Sequence, residues 1–182
     1  QNVTLTTTED SPFQTLDVVN LMSANDIDVG DVVSVQSVSL LAGNLAFQDN
    51  GNGTISFDPN QYNSLSAIEH GVSDLLVTFV DGSGATVTRT LRVDVAGVND
   101  TPLAHDATVG TDQNAPIQTL QLASLMGAQD IDGNDNLLVQ SVVLNGVTLL
   151  DAQGNVITDP QANATLAQFA FTDNHNSTIT FN

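Results

Sequence analysis

The sequence predicts an all-β protein built from two tandem β-sandwich repeats, the second of them incomplete. Two observations predict this: a long internal repeat, and short β-rich runs that alternate with Gly, Asn and Asp and show almost no helical periodicity. The 182 residues are enough for nearly two sandwich-sized domains, each with a sizeable core.

The internal repeat appears when Pro12–Val38 is laid over Pro116–Val142 without a gap. At this offset of 104 residues, 15 of the 27 positions are identical. A second block, Phe47–Phe57, matches Phe171–Phe181 at an offset of 124, so the second copy carries 20 extra residues. The insertion, at about 145–168, has the order strand, turn, strand and is predicted to form an added hairpin.

The first repeat is predicted to hold about seven strands in about 100 residues, the size of an immunoglobulin-like sandwich. In the last strand Leu91, Val93 and Val95 alternate with polar residues, so one face should point inward. Val18–Ser23 could form a short helical turn, and Asp81–Gly84 should form a tight turn. The predicted strands are Val3–Thr7, Phe13–Val18, Val32–Leu40, Leu45–Phe47, Thr54–Phe57, Leu75–Val80 and Val87–Val95.

The repeat places the two domains at residues 1–100 and 101–182. The second copy reaches Asn182 before any counterpart of the last two strands of the first copy. We therefore expect the given sequence to be a fragment, whose second domain misfolds, swaps strands with a neighbour or is completed by further residues. Met22 and Met126 occupy the same repeat position and are both predicted to lie in the core.

The charge balance restricts the partners of this protein. Lys and Arg together number two, Arg89 and Arg92, against 21 acids, which gives a formal net charge of -19. Such a chain repels nucleic acid and anionic lipid, and no apolar stretch is long enough to insert into a membrane. The acids are 19 Asp and two Glu, and short carboxylates are typical of turns rather than helical faces. There are no cysteines for a disulfide or a thiolate metal site.

The acids cluster at strand ends and at the repeat boundary, in a pattern that favours a hard cation such as Ca²⁺. Both repeats carry an Asp-Ile-Asp segment followed by a further Asp. An EF-hand is excluded, because its sixth position would be Asp31 or Asp135 rather than Gly. Asp and Asn in turns also form Asx-turns without a metal, and both interpretations stay open. The candidate ligands from this pattern are Glu9, Asp10, Asp26, Asp28, Asn99, Asp100, Asp130, Asp132 and Asp135.

Two segments resemble the cadherin family. Met22–Gly30 looks like the cadherin A-x-D-x-D-x-G segment, and Val98–Pro102 is similar to the cadherin linker between domains. The resemblance implies Greek-key sandwiches with Ca²⁺ held at each junction between domains. It assigns Asp26 and Asp28 to a junction with an upstream domain. It implies one shared cluster of Glu9, Glu69, Asn99, Asp100, Asp130 and Asp132.

The sequence departs from the cadherin pattern at several positions. Ala67 stands where an Asp is usual, Val98 replaces the leading acid of the linker, and Gln113–Asn114 replace Glu9 and Asp10 in the second copy. We therefore expect fewer Ca²⁺ ions than in animal cadherins. The segments Thr8–Pro12, Ala24–Asp31 and Val98–Pro102 are most similar to cadherin-like repeats of large bacterial surface adhesins of the RTX and VCBS type.

This resemblance implies a non-enzymatic, Ca²⁺-binding extender or cell-adhesion region of an extracellular or cell-surface adhesin. Its partners would be neighbouring repeats, with host or biofilm ligands bound through other domains. The alternative is a carbohydrate-binding or accessory module of a secreted polysaccharide-active protein, with the inserted hairpin as its site. That class usually stacks sugars on aromatic rings, whereas this chain has no Trp and only Tyr62. An enzyme is disfavoured because Gly-x-Ser-x-Gly and His-Glu-x-x-His are absent.

Overall fold

The computed structural model describes residues 2–28, 30–112, 114–140, 143–144, 147–148, 172–173 and 178–181. The chain divides into two compact units. Unit 1 contains Gln1–Asp100 together with Ile131–Asn134, and unit 2 contains Thr101–Asp130 and Asp135–Asn182.

Unit 1 is a sandwich of two β-sheets, which confirms the predicted fold class. One sheet has the strand order β1-β7-β6-β3 and the other the order β2-β5-β4. β1 runs parallel to β7, while the other neighbours are antiparallel. The elements are β1 Val3–Thr8, β2 Gln14–Asp17, α1 Val18–Leu21, β3 Ser34–Ala42, β4 Phe47–Asp49, β5 Thr54–Phe57, a 3₁₀ helix at Pro59–Tyr62, β6 His70–Val80 and β7 Thr86–Ala96.

β6 and β7 form the longest hairpin of unit 1, paired from His70 opposite Ala96 to Val80 opposite Thr86. The predicted turn joins them: the Asp81 carboxylate accepts hydrogen bonds from the backbone N–H groups of Ser83 and Ala85, at 2.9 and 2.8 Å. This hairpin therefore supplies two long strands to one layer of the sandwich.

The core of unit 1 lies between the two sheets and is closed at one end by α1. Leu91, Val93 and Val95 are all fully buried, so the inward face predicted for β7 is confirmed. The opposite sheet contributes Ile55 and Phe57 to the same cluster. Val18 of α1 and Met22, which follows it, are also buried, as expected for Met22.

β6 begins at His70, five residues before the predicted start at Leu75. The early part of the strand was missed because its inward residues are small. Gly71 and Ser73 are buried, and the Tyr62 ring occupies the space beside Gly71, where a Cβ would lie 2.5 Å from Tyr62 Cε1. One large ring thus replaces the alternating apolar side chains by which strands are recognised in a sequence.

β4 is shifted from the predicted Leu45–Phe47 to Phe47–Asp49. Leu45 is nearly fully buried, and its backbone N–H donates to Ser73 Oγ at 3.1 Å instead of joining a strand ladder. The backbone N–H of Asn44 donates to the same oxygen at 3.1 Å. A buried hydroxyl therefore takes the place of strand pairing at this position.

Unit 2 contains one three-stranded sheet, ordered β11-β12-β8, that repeats the β4-β5-β2 sheet of unit 1. Leu103 and Gln129 also form an antiparallel bridge. Of the predicted inserted hairpin, only Val147–Thr148 is described, and the rest lies outside the described residues. The elements are β8 Gln118–Gln121, α2 Leu122–Leu125, β9 Val143–Leu144, β10 Val147–Thr148, β11 Thr172–Asp173 and β12 Thr178–Phe181, with β9 and β10 antiparallel.

The prediction that Met126 lies in the core is wrong for the described part of unit 2. Met126 is 37% exposed, whereas its repeat counterpart Met22 is 2% exposed. Among the residues that the structure describes, all the fully buried hydrophobic side chains belong to unit 1. The physical reason is that the described part of unit 2 has no strands equivalent to β6 and β7 above α2.

Candidate metal centre

Glu9 follows β1 directly and is completely buried, with 0% of its surface exposed. Its backbone N–H donates to the Ala96 carbonyl at 3.1 Å, which extends the pairing of β1 with β7 by one residue. The side chain is therefore fixed at the end of the sheet. Its Oε1 accepts a hydrogen bond from the Val98 backbone N–H at 2.7 Å, while Oε2 has no hydrogen-bond partner among the described residues.

The segment that follows β7 reaches Glu9 because Gly97 has no side chain. A Cβ at Gly97 would lie 2.6 Å from the Leu65 carbonyl oxygen and still closer to that of Ser66. The Gly97 N–H instead donates to the Glu69 carbonyl at 2.9 Å. This close approach places the next residue, Val98, where its N–H meets the Glu9 carboxylate.

Two further carboxylates meet Glu9 within unit 1. One carboxylate oxygen from each of Glu9, Asp100 and Asp132 lies within 4.8 Å of the others. The Asp100 backbone N–H also donates to Asp132 Oδ2 at 2.9 Å, and only 3% of Asp132 is exposed. We call these three residues the Glu9 centre.

The loop Ile131–Asn134 holds Asp132 in the Glu9 centre. Its Gly133 N–H donates to the Ser64 carbonyl at 3.0 Å. The Asn134 side chain donates to Glu69 Oε1 at 2.5 Å. These two hydrogen bonds hold the loop against the rest of unit 1, the unit to which it belongs.

The electrostatics of the Glu9 centre are unfavourable without a cation. Burial raises the pKa of Glu9 above its ordinary value of 4.5, and the carboxylates of Asp100 and Asp132 also raise it, while the backbone N–H groups of Val98 and Leu65 act in the opposite direction. Two carboxylates at this separation repel by on the order of 3 kcal/mol at an effective dielectric constant of about 20. A buried carboxylate needs a compensating charge or hydrogen bonds.

Neither arginine of the chain supplies that charge. Arg92 is engaged with Asp74, to which its Nε donates at 2.8 Å and its Nη2 at 3.0 Å. That contact lowers the pKa of Asp74. Arg89 donates to the Thr88 carbonyl. The sequence contains no other Lys or Arg.

Glu69, a predicted ligand, lies beside the Glu9 centre but is not one of its three carboxylates. Its Oε2 accepts hydrogen bonds from the Ser66 backbone N–H at 3.1 Å and from Ser66 Oγ at 3.3 Å. Its Oε1 accepts the bond from Asn134. Glu69 therefore fixes the surrounding loops.

The other junction candidates are placed differently. Asp10 and Asn99 are exposed, and the Asn99 side chain donates to the Asp100 carbonyl at 2.6 Å. Asp130 and Asp135 belong to unit 2, where Asp130 is half-buried and Asp135 is exposed.

A second group of carboxylates in unit 1 consists of Asp26, Asp28 and Asp31, again with one oxygen from each within 4.8 Å of the others. Asp26 Oδ1 accepts the Asp28 backbone N–H at 2.7 Å, which is an Asx-turn. Asp31 accepts a hydrogen bond from Ser83 Oγ at 3.2 Å. These side chains are half-buried or exposed, so water can solvate them without a metal.

The donor set of the Glu9 centre fits Ca²⁺. Ca²⁺ prefers carboxylate and carbonyl oxygens at about 2.4 Å, so two of its ligand oxygens lie no more than about 4.8 Å apart. The buried Oε2 of Glu9 is a ligand atom with no competing hydrogen bond among the described residues. A divalent cation at this point would offset the charge of Glu9, Asp100 and Asp132.

Comparison with known proteins places the fold in a family. Residues 1–94 match the family model described as Bacterial Ig domain, which is more than half of the chain. No curated protein matches the chain. Domains of this family are commonly extracellular or surface-exposed repeat modules, and they are typically structural rather than catalytic. In the described residues, no helix is long and apolar enough to cross a membrane. The two-sheet sandwich, the internal repeat and this match together show that the chain belongs to the bacterial Ig domain family.

Proposed function

We propose that this chain is a Ca²⁺-stabilised extender region of an extracellular bacterial adhesin, and that Glu9, Asp100 and Asp132 bind the ion. The observation that carries the proposal is the complete burial of Glu9 with Oε2 unbonded among the described residues. A turn acid that needs no metal would sit in water or accept hydrogen bonds at both oxygens. Glu9 does neither.

Binding of the ion would stabilise unit 1 in two ways. It would replace the repulsion among three carboxylates by attraction to a common charge. It would also tie the end of β1 to the segment around Asp100 and to the loop Ile131–Asn134. By linkage, an ion at 100 times its Kd adds about 2.7 kcal/mol to the free energy of unfolding.

The adhesin assignment draws on three further features. The protein is built from repeats, it carries a net charge of -19, and its family is commonly found outside the cell. An acidic repeat array has strong self-repulsion, and bound divalent cations reduce it. We propose that Ca²⁺ stiffens the array in this way. Small-angle scattering should then show a more extended and less variable particle with millimolar Ca²⁺ than with EDTA.

The decisive experiment compares Glu9→Gln with Asp10→Asn in thermal melts with EDTA and with Ca²⁺. The two acids are neighbours in sequence, but only Glu9 belongs to the centre, so Asp10→Asn controls for the loss of one negative charge. With EDTA, Glu9→Gln should melt at or above the wild-type temperature, because it removes a buried charge. With Ca²⁺ it should melt below wild type.

One result of these melts would contradict the proposal. If Glu9→Gln and Asp10→Asn show the same Ca²⁺-dependent rise in Tm as wild type, Glu9 does not bind the ion. Isothermal titration of the same three proteins gives an independent readout, and only Glu9→Gln should lose most of the binding heat.

The carbohydrate-binding alternative has less support. Tyr62, the only Tyr of the chain, is buried, and its hydroxyl is hydrogen-bonded to Asn44 Oδ1 at 3.0 Å. It is therefore not available to stack on a sugar. Most of the inserted hairpin, which this hypothesis would use, lies outside the described residues.

A further inference from the structure

The loop between β4 and β5 contains two consecutive Asn-Gly pairs, Asn50–Gly51 and Asn52–Gly53. The loop is closed by a hydrogen bond from the Asn50 N–H to the Thr54 carbonyl at 3.0 Å, and both asparagines are exposed to water. Asn before Gly is prone to lose its side-chain amide, because the backbone nitrogen of a residue without a Cβ is unhindered and can attack the side-chain carbonyl carbon. The two asparagines look equivalent in the sequence, but their hydrogen bonds differ.

The side-chain carbonyl of Asn52 is polarised by two donors. Its Oδ1 accepts the Thr54 backbone N–H at 3.2 Å and the Thr54 hydroxyl at 2.6 Å. The same hydroxyl accepts a hydrogen bond from the Asn50 side chain at 2.9 Å, which strengthens it as a donor. Attack on Asn52 Cγ places negative charge on Oδ1, and donors already directed at that atom stabilise the charge as an oxyanion hole does.

The Gly53 nitrogen, which is the attacking atom, is available. Its N–H has no hydrogen-bond partner among the residues that the structure describes. Gly53 has a φ of +81°, and the nearest atom to a Cβ built there would be Val19 Cγ2, at 3.8 Å. The nitrogen is therefore neither tied to an acceptor nor shielded by a side chain of its own residue.

Asn50 is held in a way that opposes the same reaction. Its Nδ2 donates to Thr54 Oγ1 and to Ser56 Oγ, at 2.9 Å each, so two hydrogen bonds fix the side chain against β5. The Gly51 N–H donates to Asp49 Oδ1 at 2.9 Å. Attack by the Gly51 nitrogen would break this bond and would build up negative charge beside a carboxylate.

We propose that Asn52 is a site of spontaneous deamidation in the folded protein and that Asn50 is protected. The Gly53 nitrogen bonds to Asn52 Cγ and gives up its proton to water, while the Cγ–Nδ2 bond breaks and ammonia leaves. One water molecule then opens the succinimide ring, which leaves aspartate or isoaspartate at position 52. The reaction consumes water and releases ammonia, and it needs no oxidant. This inference does not depend on Ca²⁺ binding.

Isoaspartate at position 52 would weaken the attachment of this loop to α1. It adds a methylene group to the backbone next to Gly53, whose carbonyl accepts the N–H of Val18, the first residue of α1, at 3.0 Å. Aged protein should therefore melt below Asn52→Asp, which carries the same charge on an ordinary backbone. An aged protein that melts no lower would overturn this consequence.

The test incubates the full chain at mildly alkaline pH and follows each asparagine by peptide mapping with tandem mass spectrometry. This readout also separates a third pair, Asn145–Gly146, which lies outside the described residues. In the native protein Asn52 should convert at least about tenfold faster than Asn50. In the same chain unfolded in guanidinium chloride the two rates should become similar, because the hydrogen bonds of the loop are lost.

Two substitutions of Thr54 test the mechanism. Thr54→Val removes the hydroxyl that donates to Asn52 and accepts from Asn50, so it should slow the conversion of Asn52 but not that of Asn50. Thr54→Ser keeps the hydroxyl and should react at the wild-type rate. A substitution that only loosened the loop would speed both sites.

Three results would overturn the proposal. The first is that Asn50 converts as fast as Asn52 in the native protein. The second is that native Asn52 stays intact while it reacts in the unfolded chain. The third is that Thr54→Val leaves the rate at Asn52 unchanged or raises it.

Discussion

The carboxylate of Glu9 accepts a hydrogen bond from the backbone N–H of Val98 at 2.7 Å, although 89 positions separate the two residues. The contact joins the residue after the first strand of unit 1 to the segment after its last strand. Because the other Glu9 oxygen has no hydrogen bond among the described residues, this bond also orients the carboxylate toward Asp100 and Asp132. Local backbone geometry and the candidate metal centre therefore depend on each other.

Replacing Gly97 by Ala should damage both the local backbone geometry and the Glu9 centre. The new Cβ would collide with the backbone carbonyls of Leu65 and Ser66, which cannot move without breaking the turn that Glu69 holds. We expect a loss of about 1 to 3 kcal/mol in the free energy of unfolding, measured by urea titration. Gly110→Ala is the matched control, because no atom lies within 4 Å of its Cβ and it should be neutral. Equal effects of the two substitutions would contradict the close approach at Gly97.

Glu9 should give the metal-free protein an unusual pH dependence. Its pKa is raised in the folded state, so folding favours the protonated form. The resulting stabilisation is fully present below about pH 4.5, the ordinary pKa, and is lost as the pH rises through the folded pKa. In EDTA, the free energy of unfolding of wild type relative to Glu9→Gln should therefore fall as the pH rises above about 4.5. A constant difference between the two proteins would show that this pKa is not raised.

Ser73 should be more important for stability than Tyr62, although the two hydroxyls contact each other at 3.1 Å. Ser73 Oγ accepts the backbone N–H groups of Asn44 and of the buried Leu45, so Ser73→Ala removes both bonds and leaves the buried N–H of Leu45 without a partner. We expect a loss of about 2 to 4 kcal/mol for Ser73→Ala and about 1 kcal/mol for Tyr62→Phe. Chemical denaturation of both variants checks the order, and a larger loss for Tyr62→Phe would contradict it.

The Glu9 centre and the second cluster, Asp26, Asp28 and Asp31, should respond differently when one of their carboxylates is removed. Asp132→Asn keeps an oxygen that can accept the Asp100 N–H, but it removes a charge from the buried centre, and it should abolish most of the Ca²⁺-induced rise in Tm. Asp28→Asn changes an exposed side chain and should alter the free energy of unfolding by no more than about 0.5 kcal/mol. A loss of Ca²⁺ response in Asp28→Asn alone would move the ion to the second group.

The fold could be predicted from the sequence wherever burial follows the alternation of large apolar side chains. That condition holds in β7, where Leu91, Val93 and Val95 are inward. It fails at the start of β6, where Gly71 and Ser73 are inward and a distant ring fills the space. The packing of the Tyr62 ring against these small residues is a tertiary contact, and no local sequence pattern predicts it.

The 3₁₀ helix at Pro59–Tyr62 was not predicted, although its sequence contains a signal. Asp58 accepts the Asn60 N–H at 3.1 Å, and Pro59 occupies the first turn. An Asp followed by Pro is a typical start of a helical turn. An element of only four residues shows no helical periodicity, so its sequence looks the same as that of an ordinary turn.

The sequence predicted that the candidate site would consist of carboxylates, but it did not predict which of them lie together. The repeated acids drew attention to Glu9, Asp100 and Asp132, whose carboxylates the structure brings together. They did not separate these from the neighbouring Asp10, because adjacent acids look equivalent until one is buried. They also did not reveal that Glu69 is occupied by hydrogen bonds from a loop 65 residues away.

The parallel pairing of β1 with β7 determines how unit 1 would bear a pulling force. The chain enters β1 at Val3, opposite Leu91, and leaves β7 at Ala96, opposite Thr8. Tension between these two ends slides one strand along the other, so that the hydrogen bonds of the whole ladder are loaded together instead of opening one after another. The Glu9 centre lies just beyond the Thr8 end of that ladder, so an ion bound there would add resistance to sliding at the point where β1 ends.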